Sequence, residues 1–233
     1  MAKYTGIQTL EVLEWAKNYN KWIASNFTHL LKGPVLEVGT GTGNISGHFL
    51  DETQLFLSDS DNSLVKYLRQ KFNKSKNVKC IFLDIRKTPQ KSLQSYFNTV
   101  ISINVFEHLK EDNKALENIN SLLKKGGKLL LLVPAKKFAY SRLDKSLGHY
   151  RRYEKDELVT KLEDAKFKIE QIYFFNIVGL ASWVIREKVE KNHSQLTWYQ
   201  IALFEAIVPF LRKVENIWKP PIGISLIVVA TKI

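Results

Sequence analysis

An α/β fold, a doubly wound and mainly parallel sheet of seven strands, is what this chain of 233 residues predicts. Three observations carry the prediction. Short apolar runs alternate with amphipathic stretches of helical period. One run, KLLLLVPA (128–135), is apolar without alternation, as in a strand covered on both faces. The first run, VLEVGTGTG (35–43), breaks straight into Gly39, Gly41 and Gly43, a turn that belongs at the end of a strand.

The elements come in this order. Residues 8–31 place Leu10, Leu13, Ala16, Tyr19, Ile23, Phe27 and Leu30 three and four apart, so a helix is expected within an N-terminal helical segment, 1–33. Lys32-Gly33-Pro34 stops it, and 35–38 reads as the first strand. A helix can open at 44–50. Strands are expected at 55–60, 78–84 and 98–105, with a helix at 62–72 after the first of them. A helix at 112–123 should stop at Gly126-Gly127 before the fifth strand. A helix at 155–166 and a strand at 168–175 continue the rhythm. Two helices then interrupt it, the second kinked at Pro209, in a helical cap at 177–221. ISLIVVATK (224–232) is the last strand. The whole, 1–233, is expected to be a single domain.

Apolar residues make up 45% and charged residues 25%, an ordinary globular composition. The single cysteine, Cys80, excludes an intrachain disulfide and a cysteine zinc cluster; it reads as a buried strand residue in a reducing, cytoplasmic compartment, and no metal site is expected. A net charge of +12 suits an anionic partner, whether nucleic acid, a phospholipid surface or a phosphorylated substrate, or simply a soluble basic surface. The first ten residues have no signal-peptide core, and IYFFNIVGLASWVI (172–185) is too short to span a bilayer, although it could lie in an interface.

The glycine turn is not a dinucleotide fingerprint, because Asn44 stands where G-x-G-x-x-G needs its third glycine. Glu37 lies two residues before the turn, where a ligand with a cationic amino-acid end would want a carboxylate. Asp59 ends the second strand and can accept both hydroxyls of a ribose. Asp84 ends the third and can accept from the exocyclic amine of adenine. The carboxyl ends of strands in such a sheet line one crevice, so the three acids should converge on one ligand.

These residues resemble the class I S-adenosylmethionine-dependent methyltransferases over 35–135. NTVISINVFEHL (98–109) looks like the family's strand followed by V-L-E-H, and LLKKGGKLLLLVPA (122–135) like its L-x-P-G-G-x-L entry, with Lys125 in place of proline. A narrower likeness runs through NYNKWI (18–23), VLEVGTGTGNIS (35–46), VFEHL (105–109), VPAKKFAYSRLDKSLGHYRRY (133–153), FFNIVGLASW (174–183) and PPIGISLIVVA (220–230). It points to a bacterial subgroup of unassigned substrate. That subgroup commonly has glutamate at position 59, so either Asp59 or Asp61 is the ribose ligand.

The resemblance implies a Rossmann-like methyltransferase fold with its last strand antiparallel. It implies S-adenosylmethionine as cofactor and S-adenosylhomocysteine as product. Cofactor contacts fall on Glu37, Gly39, Thr40, Gly41, Gly43, Asp59, Ser60, Asp84, Ile85 and Asn104. Tyr19 and Trp22 either close over the cofactor or pack within a helix face. Placing a nucleophile in line behind an activated methyl can supply about 7–11 kcal/mol. A proton acceptor is needed only where the attacking atom must lose a proton. His108 and His149 are the candidates. His108 has the alternative of a structural role at a helix start.

In the loop 140–153, Tyr140, Arg151, Arg152 and Tyr153 form a candidate clamp for an anionic acceptor, beside Arg142 and Asp144; the alternative is a solvated basic turn. The cap supplies Trp183, Trp198, Tyr199, Phe204, Phe210 and Trp218, with Arg186, Lys188, Lys191, Arg212 and Lys213 nearby. Those features suit a small or amphiphilic, lipid-like acceptor, and a cap that touches the inner face of a membrane. The expected activity is methyl transfer by in-line displacement. RNA methylation is the first alternative, weakened because NVFEH stands where an amino-methylating N/D-P-P-Y motif would be. A non-catalytic cofactor-binding protein is the second.

Overall fold

A computed structural model describes residues 14–50, 54–189 and 198–233. Seven strands form one sheet: β1 (Val35–Val38), β2 (Leu55–Asp59), β3 (Val78–Phe82), β4 (Phe97–Ile103), β5 (Leu123–Pro134), β6 (Phe167–Phe175) and β7 (Ser225–Lys232), in the order β3-β2-β1-β4-β5-β7-β6. The first five are mutually parallel and β7 runs antiparallel between β5 and β6. This is the doubly wound sheet that the alternation of elements predicts, with its antiparallel last strand.

The two faces of the sheet carry two cores, assigned by the period of two along each strand. In β5, Leu129, Leu131 and Val133 face one core, while Leu130 and Leu132 face the other, and all five are fully buried. The first core is closed by α3 (Asp112–Leu122) and α5 (Lys155–Asp164) through Leu116, Ile119, Leu158 and Leu162. The second is closed by α1 (Lys17–Ser25), α2 (Asn62–Lys71) and α7 (Trp198–Ile217), through Trp22, Ile23, Leu68 and Val208. A short helix, α4 (Arg142–Ser146), lies in the loop after β5, and α6 (Ile177–Val189) comes after β6.

Four local expectations change. The first helix is shorter: α1 ends at Ser25, and only a 3-10 turn, Thr28–Leu30, continues it; the part of the expected helix before residue 14 lies outside the described residues. Only a 3-10 turn, Ser46–His48, forms where a helix could open after the glycines. Gly47 and the β-branched Ile45 have poor helix propensity, and the Ser46 hydroxyl is drawn to Glu37 instead. Helix α3 ends at Leu122, and β5 starts at Leu123; Gly126 sits inside the strand at φ +75°, beside a register shift between Phe97 and Thr99. Cys80 is only half-buried, on the outer part of the sheet in β3.

The cap is pinned by two acids of α7. The Glu205 carboxylate accepts the Asn18 and Tyr19 amides at 2.7 and 2.8 Å, capping α1. Glu215 does the same for Asn176 and Ile177 at 2.8 and 2.9 Å, at the start of α6. Each satisfies orphan amides and complements the helix dipole. Pro209 lies inside α7. The segment of the expected cap that holds Lys191 lies outside the described residues. Among the described residues no helix is long and apolar enough to cross a membrane.

Candidate functional site

The carboxyl ends of β1, β2, β4 and β5 meet along one edge, and the glycine turn lies on it. Gly39, Gly41 and Gly43 all have positive φ, at 71°, 59° and 74°. A Cβ on Gly39 would stand 2.4 Å from Cγ2 of Val105, so this turn is pressed against the exit of β4. Thr40 ties it to β2: its amide donates to the Ser58 carbonyl at 2.9 Å, and its hydroxyl accepts the Ser58 amide at 3.1 Å. Gly41 donates its amide to Oδ2 of Asp59 at 3.0 Å. The turn is therefore held by the strand whose acid it faces.

The three strand-end acids are not alike. Glu37 is 4% exposed, and its Oε2 accepts the Ser46 hydroxyl at 2.5 Å. Burial pushes its carboxyl up to about 7, against the Ser46 hydrogen bond and with the nearby Asp59 charge adding to the rise. Burial also pushes Asp59 up, against the amides of Asp61 and Gly41. Neither acid has an ion-pair partner among the described residues. Asp84 differs: Arg86 grips both of its oxygens, at 2.7 and 2.9 Å, and that hydrogen bonding holds its carboxyl below the usual range despite partial burial. A base-binding role for Asp84 would have to share an oxygen with Arg86.

Asp61 is the N-cap of α2, its Oδ1 accepting the Ser63 amide at 2.7 Å and the Ser63 hydroxyl at 2.6 Å. With Asp61 committed to the cap, Asp59 is the acid that remains at the edge. Ser60 is exposed beside it. Ile85 is buried, and its carbonyl accepts the Asn118 side chain at 2.8 Å. Asn104 leaves β4 exposed and left-handed, at φ +52°. Trp22 does not close over this edge: it is 1% exposed and packs against Phe175, with ring centres 4.4 Å apart. Tyr19 stacks on the same Phe175 and meets Phe204 edge-on. The helix-face alternative holds for both, because the apolar face of α1 is needed by the core.

The two histidines, separate in sequence, come together. Their rings meet edge to face with centres 4.6 Å apart. Nδ1 of His149 lies 2.8 Å from Oδ1 of Asp144. Burial, with the neighbouring His149 adding to it, lowers His108 to about 4, against a hydrogen bond with the Gly148 backbone. Glu107, just before it, is 1% exposed, and burial pushes its carboxyl up to about 7. One ring nitrogen of each histidine and a Glu107 carboxylate oxygen all lie within 4.8 Å of one another.

The expected anion clamp is not formed. Arg152 is 2% exposed; its Nε lies 3.0 Å from each Asp144 oxygen, and its guanidinium lies 4.6 Å over the Trp183 ring. Arg151 pairs with Asp112 at 3.0 Å and donates to the Lys110 carbonyl. Tyr153 is buried, with its hydroxyl on Asp112 at 2.8 Å. Tyr140, half-exposed, donates to the His149 carbonyl at 2.7 Å. Arg152 found an internal carboxylate because a buried guanidinium needs one, while Arg151, only partly buried, is drawn to Asp112. Sequence reasoning named Asp144 without its role as the hub. The signal was present: Ser141-x-x-Asp144 is a capping-box spacing, and both reciprocal bonds are formed.

The electrostatics of the edge favour a cation. The Asp59 charge adds to the cost of ionising the buried Glu37, and the Asp61 charge to that of Asp59; a ligand bearing ammonium or sulfonium would relieve both, and a pyrophosphate would aggravate them. Residues 36–129 match a family described as methyltransferase domain. A non-reducing polyketide synthase of Emericella nidulans is 33% identical over 106 residues, 42% of this chain but 4% of that protein. The tRNA U34 carboxymethyltransferase of Alteromonas mediterranea is 29% identical over 130 residues, 51% of this chain and 38% of that one. Among solved structures, a SAM-dependent methyltransferase of Thermotoga maritima has the same fold, with a TM-score of 0.64 at 16% identity over 98% of this chain and 97% of that one.

Proposed function

We propose that the chain is a class I S-adenosylmethionine-dependent methyltransferase that methylates a small or amphiphilic acceptor by in-line displacement, a reading supported by its match to a methyltransferase domain over 36–129 and by its fold. The observation that supports this reading best is the pair of cation-free acids, Glu37 and Asp59, flanking a left-handed glycine turn. S-adenosylmethionine, when bound, supplies a methyl group already activated on a sulfonium. Glu37 would face its cationic amino-acid end, Asp59 its ribose, and Asn104 would border the methionine portion.

The acceptor lies over the exit of β4, against Glu107, His108 and His149. His149 is the better placed to take a proton, because Asp144 fixes its Nδ1 and so presents Nε2. Purified protein is expected to bind S-adenosylhomocysteine and, with a competent acceptor, to form it from S-adenosylmethionine. His149→Ala should lower turnover about 10²–10⁴-fold with cofactor affinity within about threefold. Full turnover in both His149→Ala and His108→Ala would remove the histidines from the reaction. Binding without turnover on any acceptor would favour the non-catalytic alternative.

An amphiphilic acceptor is supported by the cap. Leu203, Ile207, Phe210, Val214 and Ile217 recur every three or four residues along α7, and all five are exposed, Ile217 at 91%. Lys213 and Lys219 are exposed beside them. With a net charge of +12, that stripe suits an anionic lipid surface, where apolar burial and charge act together. The chain should co-sediment with phosphatidylglycerol vesicles and not with neutral ones, and the doubly substituted Leu203→Asp, Phe210→Asp protein should stay in solution. Equal sedimentation of both would assign the stripe another purpose. An RNA acceptor instead predicts salt-sensitive binding to tRNA that survives the same two substitutions.

A further inference from the structure

We propose that Glu107, His108 and His149 hold a divalent transition-metal ion at the acceptor end of the crevice. The ligand atoms are already gathered within 4.8 Å of one another, from two segments that only the fold brings together: the exit of β4 and the loop after β5. Bonds of about 2.0–2.2 Å around a tetrahedral ion would draw such atoms to roughly 3.4 Å apart, a closure of up to about 1.4 Å. Rotation of three side chains can supply that.

Three further features are those of a ligand set. Oε2 of Glu107 is buried and has no hydrogen-bond partner among the described residues. A buried polar atom left in that state is costly unless something it meets offsets the loss. His149 has its Nδ1 on Asp144, the carboxylate–histidine arrangement that orients a metal-binding imidazole. The His108 ring is likewise hydrogen-bonded, by the Gly148 backbone. Asp144 cannot serve as a ligand itself, because Ser141, His149 and Arg152 occupy both its oxygens. Two imidazoles and one carboxylate suit ions of the manganese-to-zinc series better than calcium or magnesium, which prefer all-oxygen sites.

Three protein ligands leave at least one position for water or for an oxygen of the acceptor. With the ion bound, Nε2 of His149 is a ligand and the ion meets the attacking atom in its place, so the proton transfer assigned above to His149 belongs to the metal-free protein. This purpose rests on the methyltransferase reading; the binding of the ion does not.

The test therefore uses neither cofactor nor acceptor. Chelator-stripped full-length protein is titrated with Zn²⁺ by calorimetry, and with Co²⁺ to record its visible absorption. One ion per chain is expected, with affinity falling at least about tenfold in each of Glu107→Gln, His108→Ala and His149→Ala, and about 10–100-fold in Asp144→Asn. Circular dichroism and S-adenosylhomocysteine binding verify that each variant is folded; His149→Gln, which keeps a polar contact to Asp144, replaces the alanine variant if that one is not. Absence of saturable binding, or an affinity unchanged by any one of the three ligand substitutions, overturns the site. Methyl transfer that persists without metal binding would sink only this proposal. Metal binding without any methyl transfer would sink only the methyltransferase reading.

Discussion

Asp144→Asn is expected to destabilise the protein by about 3–5 kcal/mol, the cost of breaking a buried ion pair by removing one partner. Asp144 is fully buried, and Arg152, at 2% exposure, has no other carboxylate within ion-pair distance among the described residues. Its remaining contacts are the Ala135 carbonyl and the Trp183 ring. Those can orient a guanidinium but cannot neutralise it. Urea unfolding of the two proteins measures the difference. A second variant separates charge from packing: Asp144→Asn combined with Arg152→Met removes both charges, and it should lose less than the sum of the single losses by about 0.5–3 kcal/mol. Additive losses would mean that the two side chains do not act as a pair.

The same carboxylate makes a signed prediction with pH. Burial alone would raise the Asp144 carboxyl, but the His149, Arg152 and Ser141 bonds outweigh it and hold it below its ordinary value. A depressed carboxyl contributes stability above its unfolded pKa, near pH ~4, and that contribution is lost as pH falls through the folded value. The native protein should therefore show an acid limb below about pH 4 that the Asn variant has largely lost already.

Why was this hub hard to see in the sequence, when the sheet was plain? Strand β5 announces itself because five consecutive apolar residues have no other use than burial on both faces. The glycine turn is equally legible, because closely spaced glycines after a strand are costly unless the backbone must bend left-handed, and all three do carry positive φ. The loop 140–153 is different. Its residue types are readable as charged and aromatic, but which acid meets which base depends on a chain path that no local period encodes. Arg151 and Arg152 are neighbours in sequence, and they go to different acids, Asp112 and Asp144. Around Ser46 poor local propensity and tertiary demand act together, and its hydroxyl serves Glu37 where a helix is expected. The histidine pair was legible only as two separate candidates; Asp144, five residues from His149, is what fixes one ring against the other.

Asp59→Ala is expected to weaken S-adenosylhomocysteine binding at least about a hundredfold, and Asp61→Ala by less than about threefold. The first figure rests on two ribose hydroxyls donating to one charged acceptor, each bond contributing about 1.5–3 kcal/mol, with about 1.4 kcal/mol per factor of ten. The second rests on geometry: the Asp61 carboxylate is committed to Ser63 and faces the start of α2. Its loss should appear in stability instead, as about 1 kcal/mol for a missing N-cap. Calorimetry and urea unfolding on the same two proteins thus cross over, one variant failing in binding and the other in folding. Asp59 also holds the Gly41 amide, so its removal acts on the turn as well as on the ligand. Asp59→Asn divides these effects, since an amide oxygen can still accept from Gly41 while the negative charge is gone. If affinity tracks charge, the Asn variant will bind as poorly as the Ala variant; if it tracks the turn, Asn will bind nearly as well as native. Should Asp61→Ala lose affinity and Asp59→Ala keep it, the ribose would have to be met by an acid now capping a helix, and the first turn of α2 would need to unwind when the cofactor enters.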